Sequence, residues 1–217
     1  MYSPTEENYL KALLNLADEK GEVSVNDLSK RLSISMPTVN SMVKKLAEKD
    51  LLHYESYKPL RLTEKGEKSA ALIIRKHRLT EMYLVEKMGF GWEQVHHIAE
   101  QVEHVQSEEF FEKIDELLGY PTVDPHGSPI PDKNGVVEWL EYIKMSECKV
   151  GQQVELAAVT NSSKEFLNFL NGRSMQLGTK IKILSIEKFD GSFQVSYAGH
   201  KAEMLSKMVV DNLLVKN

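Results

Sequence analysis

Up to residue 120 the apolar positions recur every three or four residues, whereas beyond residue 149 they alternate with polar ones. The first spacing is that of a helix with one buried stripe, the second that of a half-buried strand. Tyr9, Leu10, Leu13, Leu14 and Leu16 predict a first helix, capped by Ser3 or Thr5, with Glu6 and Glu7 at its positive end and Gly21 past its stop. Residues 24–32 predict a short amphipathic helix, and Ser33-Ile34-Ser35 a tight connection. A third helix over residues 36–46 starts with Pro37 in its first turn and turns Val39, Met42, Val43 and Leu46 inward. Residues 51–55 and 60–63 then read as two short strands around a turn at 56–59. Helix, turn, helix and β-wing in this order predict a winged helix-turn-helix. Ser35, Pro37, Thr38, Asn40 and Ser41 would stand at the front of the recognition helix, Lys44 and Lys45 behind them, and Tyr57 and Lys58 on the wing. Small hydroxyl and amide groups reach base edges and lysines reach phosphates, so the partner expected is double-stranded DNA. The alternative is a generic three-helix domain with ordinary surface lysines.

From Thr63 a capped helix runs through Leu72, Ile73, Ile74, His77, Leu79 and Leu84 towards Gly89. Two more follow over residues 95–105 and 107–118, the latter opening on Ser107 and ending at Gly119. These helices, with Met82, Tyr83, Val85 and Phe90, offer more apolar surface than they can bury alone, which predicts a homodimer interface or a larger shared core. Residues 121–135 hold four Pro and two Gly and read as a linker. Beyond them, residues 150–156, 179–184, 193–197 and 213–215 are strand candidates, interrupted by a short helix at 164–170. The fold class expected is mainly α, with a small C-terminal β-barrel.

One segment carries the chemistry. On a helix turning about 100° per residue, His96, Glu100, Glu103 and His104 fall in one arc, leaving Ile98, Val102 and Val105 to face a core. His77 and Glu81 share a face one turn apart on the preceding helix. Imidazole and carboxylate donors without thiolate suit Mn²⁺ or Fe²⁺ better than a closed zinc site. Asp124 and His126 in the linker are possible further ligands. The competing reading is a solvated helix face with chance Glu/His pairs.

Charge sharpens this picture. The net charge is −5, but residues 76–120 alone carry ten Asp/Glu against four Lys/Arg, together with four of the seven His. The acidic surplus lies where the candidate ligands lie, as a cation site requires. A single cysteine, Cys148, excludes an internal disulfide and a cysteine zinc finger and fits a reducing cytoplasm. Neither a signal peptide nor a bilayer-spanning apolar run is read, so a cytoplasmic protein without a membrane partner is expected.

Thr5-Glu6-Glu7-Asn8-Tyr9-Leu10, Pro37-Thr38-Val39, Lys76-His77-Arg78-Leu79, Val102-Glu103-His104-Val105-Gln106-Ser107 and Gly127-Ser128-Pro129-Ile130-Pro131 resemble the diphtheria-toxin-repressor family of metal-dependent transcriptional regulators, nearest its manganese-responsive branch. The resemblance implies a winged-helix domain over residues 1–74, a helical dimerisation and metal domain over 75–120, a linker over 121–148 and an SH3-like (FeoA-type) domain over 149–217. It also implies metal ligands at His77, Glu81, His96, Glu100, Glu103 and His104, with Asn8 from the first helix. Asp124 and His126 match a second site in some members, and Glu165 is the candidate within the β domain. Iron-sensing members carry Cys where this chain has Glu100. Manganese members usually carry Asp at Asn8, and some carry Glu at Lys11. The function implied is a dimeric repressor of metal-uptake genes on a palindromic operator, activated by Mn²⁺ or else Fe²⁺, with Zn²⁺ or Co²⁺ able to occupy the site in vitro. The alternatives are a carboxylate/His metalloenzyme and a winged-helix regulator that senses no metal.

Overall fold

The computed structural model describes residues 2–17, 20–138 and 140–216, which form two compact units. One unit comprises residues 1–80, 99–120 and 130–138; the other comprises 81–98, 121–129 and 139–217.

In the first unit, α1 (Pro4–Leu16) starts on Ser3, whose hydroxyl accepts from the Glu6 N–H while the Glu6 carboxylate accepts from the Ser3 N–H. This reciprocal cap fixes the helix start. α2 (Val25–Leu32) is capped by Ser24 and stops at Ser33, which adopts a left-handed conformation. α3 (Met36–Glu48) follows, and β1 (Leu52–His53) pairs with β2 (Arg61–Leu62) to form the wing. Tyr9, Leu10, Leu13, Leu28, Val39, Val43, Leu46, Leu51 and Leu60 make one core beneath these elements. α4 (Glu64–Glu86) begins immediately after the wing. At Gly66 an added Cβ would lie 2.0 Å from the Leu51 carbonyl oxygen, so the first turn of α4 rests directly on backbone. α6 (Glu108–Leu118) closes on Gly119 in the left-handed region. The Arg75 guanidinium reaches Asp115 of α6 (2.5 Å) and the Pro131 carbonyl (2.7 Å), which fastens the linker segment 130–138 to this unit.

Glu6 also ties α1 to α3. Its carboxylate lies 2.7 Å from the Lys49 ammonium and 3.1 Å from that of Lys45. The Lys49 bond holds the Glu6 pKa down at about 2 against the opposing effect of burial. A depressed carboxylate pKa stabilises the fold above the unfolded-state value and loses that contribution as pH falls through the folded value. Glu6→Gln is therefore expected to flatten the acid-unfolding profile between about pH 4.5 and about pH 2. Circular dichroism of both proteins across that window is the check, and superimposable profiles would contradict it.

The second unit is built on an antiparallel sheet of β3 (Ile143–Lys144), β4 (Gln153–Val159), β5 (Lys180–Ile186), β6 (Phe193–Tyr197), β7 (His200–Leu205) and β8 (Leu213–Lys216), in the order β3-β8-β4-β5-β6-β7. Bulges interrupt the β4/β8, β5/β6 and β6/β7 ladders. Leu156, Ile181, Ile183, Val195, Leu213 and Val215 pack with Leu167 and Leu170 of α7 (Lys164–Asn171), and α8 (Lys207–Val210) adds Val209 and Val210. Alternation identifies four of the six strands in advance. β7 and the two-residue β3 escape it, because β7 at the sheet edge buries only Leu205.

Candidate metal centre and nucleic-acid interface

The outward side of α3 is polar and solvated. Ser35, Pro37, Thr38, Ser41, Lys44 and Lys45 are exposed and Asn40 is half-buried. The Ser35 and Thr38 hydroxyls lie 2.9 Å apart, and the Lys44 ammonium sits over the Tyr54 ring at 5.9 Å. Tyr57 stands fully exposed at the wing tip with φ +67°, and Lys58 pairs with Glu55 at 2.8 Å. Lys45, expected to reach phosphate, also bonds Glu6, so part of its charge is spent on holding α3 to α1.

The ligand helix is shorter than its apolar pattern predicts. α5 (His96–Val102) ends before Glu103, and Glu103 and His104 lie in the turn that follows. The single arc is therefore divided. His96 and Glu100 are exposed, but Glu103 is fully buried, continuing inward the line of Val95 and Ala99. Val105, expected to face the core, is 40% exposed once the helix has ended.

Within the first unit Glu103 is the centre of a compact polar group. Its two carboxylate oxygens meet the Lys11 ammonium at 2.6 Å and His77 Nδ1 at 2.5 Å. Burial pushes the Glu103 carboxyl up, but His77 and Lys11 outweigh this and hold it below its ordinary range. Beside it, His104 Nδ1 lies 2.5 Å from Glu7, whose other oxygen accepts from the Gln106 amide at 2.9 Å. Glu100 lies 3.9 Å from Lys11. Glu103 with His77, and His104 with Glu7, offer oxygen and nitrogen donors of the kind a divalent cation takes, with the Lys11 ammonium on one Glu103 oxygen.

Two residues of α1, Glu7 and Lys11, make contacts here that the sequence did not predict. The first helix reaches His104 through Glu7, and reaches Glu103 through Lys11. Asn8, the expected first-helix ligand, is exposed and makes none of these contacts. Glu7 carried a signal, since it stands one position before Asn8 in the quoted motif; the single-residue rotation of α1 did not.

The second unit assembles its own group. Glu81 of α4 is 2% exposed and lies 3.1 Å from His96 Nδ1 and 3.6 Å from His126 Nδ1. Glu81, Asp124 and His126 each offer one donor atom within 4.8 Å of the others. Asp124 and His126 are buried, not solvated as loop residues usually are. Asp124 accepts from the N–H groups of His126 (2.8 Å) and Ser128 (2.9 Å), which folds the loop, and Val159 of β4 donates to the His126 carbonyl at 2.9 Å. The His126 ring stacks on Trp92 and its Nε2 meets the Trp92 carbonyl at 2.9 Å. Burial lowers the His126 pKa, but Glu81, Asp124 and this carbonyl raise it further, so the net shift is upward. Glu165 is exposed on the first turn of α7 and joins no such group among the described residues.

Comparison with known proteins accounts for this combination. Residues 1–60 match the family described as iron dependent repressor, N-terminal DNA binding domain. Residues 63–132 match the metal binding and dimerisation domain of the same repressors, and residues 143–217 match the FeoA domain. The iron-dependent repressor IdeR of Mycobacterium tuberculosis (strain ATCC 25618 / H37Rv) is 39% identical over 134 residues, which cover 62% of this chain and 57% of that protein. The HTH-type transcriptional regulator MntR of Geobacillus thermodenitrificans (strain NG80-2) is 34% identical over 120 residues, covering 55% of this chain and 84% of that protein. A solved structure titled manganese-dependent transcriptional repressor complex with manganese superposes with a TM-score of 0.86 at 28% identity, covering 97% of this chain and 98% of its own. No helix among the described residues is long and apolar enough to cross a membrane. With a DNA-binding domain, a metal-binding domain and a FeoA domain in sequence, the chain belongs to the diphtheria-toxin-repressor family of metal-dependent transcriptional repressors, which are regulators and not enzymes.

Proposed function

We propose that the protein is a cytoplasmic, homodimeric repressor of metal-uptake genes that binds a palindromic DNA operator when Mn²⁺ is present, with Fe²⁺ as the alternative activator. The observation that carries this reading is the meeting of α1, the first helix of the DNA-binding domain, with the end of α5 through Glu7–His104 and Lys11–Glu103. A change in what Glu103 and His104 bind is thereby felt by the helix that packs against α2 and the recognition domain. Glu100, Glu103 and His104 would hold one ion, with the Asn8 amide oxygen or Glu7 as the first-helix donor. His77, Glu81 and His96 are the further ligands of this reading, with Asp124 and His126 beside Glu81 and Glu165 the weakest candidate. When bound, the ion supplies positive charge and a fixed coordination geometry that favours one orientation of these side chains. The manganese branch is supported by the hard donor set, which contains no thiolate; the one cysteine, Cys148, is buried in the apolar core with Leu156 and Val215.

A dimer is supported by Phe110 (43% exposed) and Leu117 (49%), seven residues apart on one side of α6, with Val105 and Tyr120 nearby in sequence. In this reading the chain divides functionally after residues 74, 120 and 148. Operator binding measured across Mn²⁺, Fe²⁺, Zn²⁺ and EDTA at one salt concentration tests the proposal. Mn²⁺ is expected to tighten binding about 100-fold relative to EDTA, equivalent to about 2.7 kcal/mol. Equal affinity with and without metal would overturn it in favour of a regulator that senses no metal.

A further inference from the structure

In the second unit the outward face of the sheet gathers lysines that form no ion pair among the described residues. Lys180 and Lys182 are exposed two residues apart on β5, and so project from the same side. The register sets Gln153 of β4 opposite Lys182, and Lys182 opposite Ser196 of β6. The pairing of Tyr197 with His200 then brings Lys201 of β7 alongside. Gln153, Lys180, Lys182, Ser196, His200 and Lys201 line one open depression of about 410 Å³.

The acids that could quench this face are already taken. Glu155, opposite Lys180 in register, bonds Lys216 at 3.0 Å. Glu203 bonds Arg173 at 3.2 Å and lies 3.8 Å from His200. Lys207 pairs with Asp211 at 2.9 Å, whereas Lys180, Lys182 and Lys201 form no ion pair among the described residues. Like charges gathered on one sheet face repel and lower the stability of the pairing. Their segregation in a chain of net charge −5 creates a local field suited to an anionic partner.

We propose that this face binds the phosphate backbone of duplex DNA, giving the C-terminal domain a sequence-independent contact of its own. Lysine ammoniums are compact point charges that take phosphate oxygens without needing the bidentate geometry of a guanidinium fork. Ser196 and Gln153 supply neutral donors between the charges. Lys180 and Lys182 stand about 6.6 Å apart along the strand, a spacing that suits charges repeated regularly along a polymer. DNA is the polyanion within reach, because the same chain carries a DNA-binding domain and so raises its effective concentration. The inference rests on that domain's DNA-binding role but not on which metal activates it.

The test uses the full chain and a random-sequence duplex of about four helical turns, titrated between about 50 and 200 mM salt in EDTA and in Mn²⁺. The triple variant Lys180→Gln/Lys182→Gln/Lys201→Gln is expected to reduce the slope of log affinity against log salt by about two to three units in both conditions. Lysine-to-arginine changes at the same positions are expected to restore it. An unchanged slope would overturn the proposal. So would an unchanged slope together with lost binding to polyglutamate, which would identify an acidic-peptide surface instead. If the triple variant fails to fold, Lys201→Gln on the edge strand alone is expected to lower the slope by about 0.9. A slope difference that persists while Mn²⁺ has no effect on either protein supports this face and counts only against the manganese reading.

Discussion

Glu103→Ala is expected to lower the unfolding free energy of the metal-free protein by about 3 kcal/mol, read from urea denaturation in EDTA. The carboxylate is fully buried between the Lys11 ammonium and the His77 ring. Removing it leaves a lysine whose side chain is 15% exposed, with Glu100 at 3.9 Å as its remaining acid among the described ion pairs. Truncating one partner of a buried pair costs far more than replacing both. The double variant Lys11→Met/Glu103→Leu is therefore expected to recover much of the loss, with a coupling energy above about 1 kcal/mol in the double-mutant cycle. Matching denaturation midpoints for wild type and Glu103→Ala would mean that the pair is not desolvated as described. A practical consequence follows for assigning ligands. Lost DNA binding in Glu103→Ala mixes a fold effect with a metal effect, whereas His104, at the edge of the group with its side chain 16% exposed, offers the cleaner alanine variant.

The second large effect is expected at Glu100. Its side chain is 51% exposed, so Glu100→Cys should leave stability nearly unchanged while altering the donor chemistry. A carboxylate favours hard ions with high coordination numbers, and a thiolate favours softer ones. Raw affinity follows the Irving–Williams order in both proteins, so the informative quantity is operator binding at saturating metal. In the wild type Mn²⁺ is expected to give more binding than Zn²⁺. In Glu100→Cys the Zn²⁺-to-Mn²⁺ response ratio is expected to rise at least about tenfold, equivalent to about 1.4 kcal/mol. Identical metal rankings in the two proteins would remove Glu100 as the selectivity determinant.

Much of this was legible in the residues themselves. The winged helix follows from local signals: the amphipathic pattern of residues 24–32, Pro37 in the first turn of α3 and two short apolar strands flanking a polar turn. Every one of these acts within a few residues. The metal group was legible in composition but not in geometry. Periodicity extrapolated α5 through Val105, yet the helix stops at Val102, and this turns Glu103 inward while leaving His96 and Glu100 outside. Which first-helix side chain faces His104 depends on how α1 is rotated in its packing, and neighbouring Glu7 and Asn8 differ by about 100°. Asp124 and His126 stood out only as possible further ligands, and their burial was not legible because burial of a loop depends on distant partners. Here they are Glu81 and the β4 backbone. β7 gave no alternating signal, since an edge strand with one buried residue carries almost none.

The contact between Gly66 and the Leu51 carbonyl also bears on how a signal could travel. The nearest atoms to that point are the Leu51 carbonyl and, at 3.2 Å, the Leu62 side chain of the wing, so the joint is close-packed backbone with an apolar side chain wedged beside it. Thr63 reinforces the joint, donating to the Asp50 carbonyl at 2.8 Å and accepting from the Gly66 N–H at 3.0 Å. The long helix therefore enters the wing as a shaft enters a socket. A tilt of the first turns of α4 is thereby passed to the wing through backbone, and a side chain at residue 66 would loosen the joint.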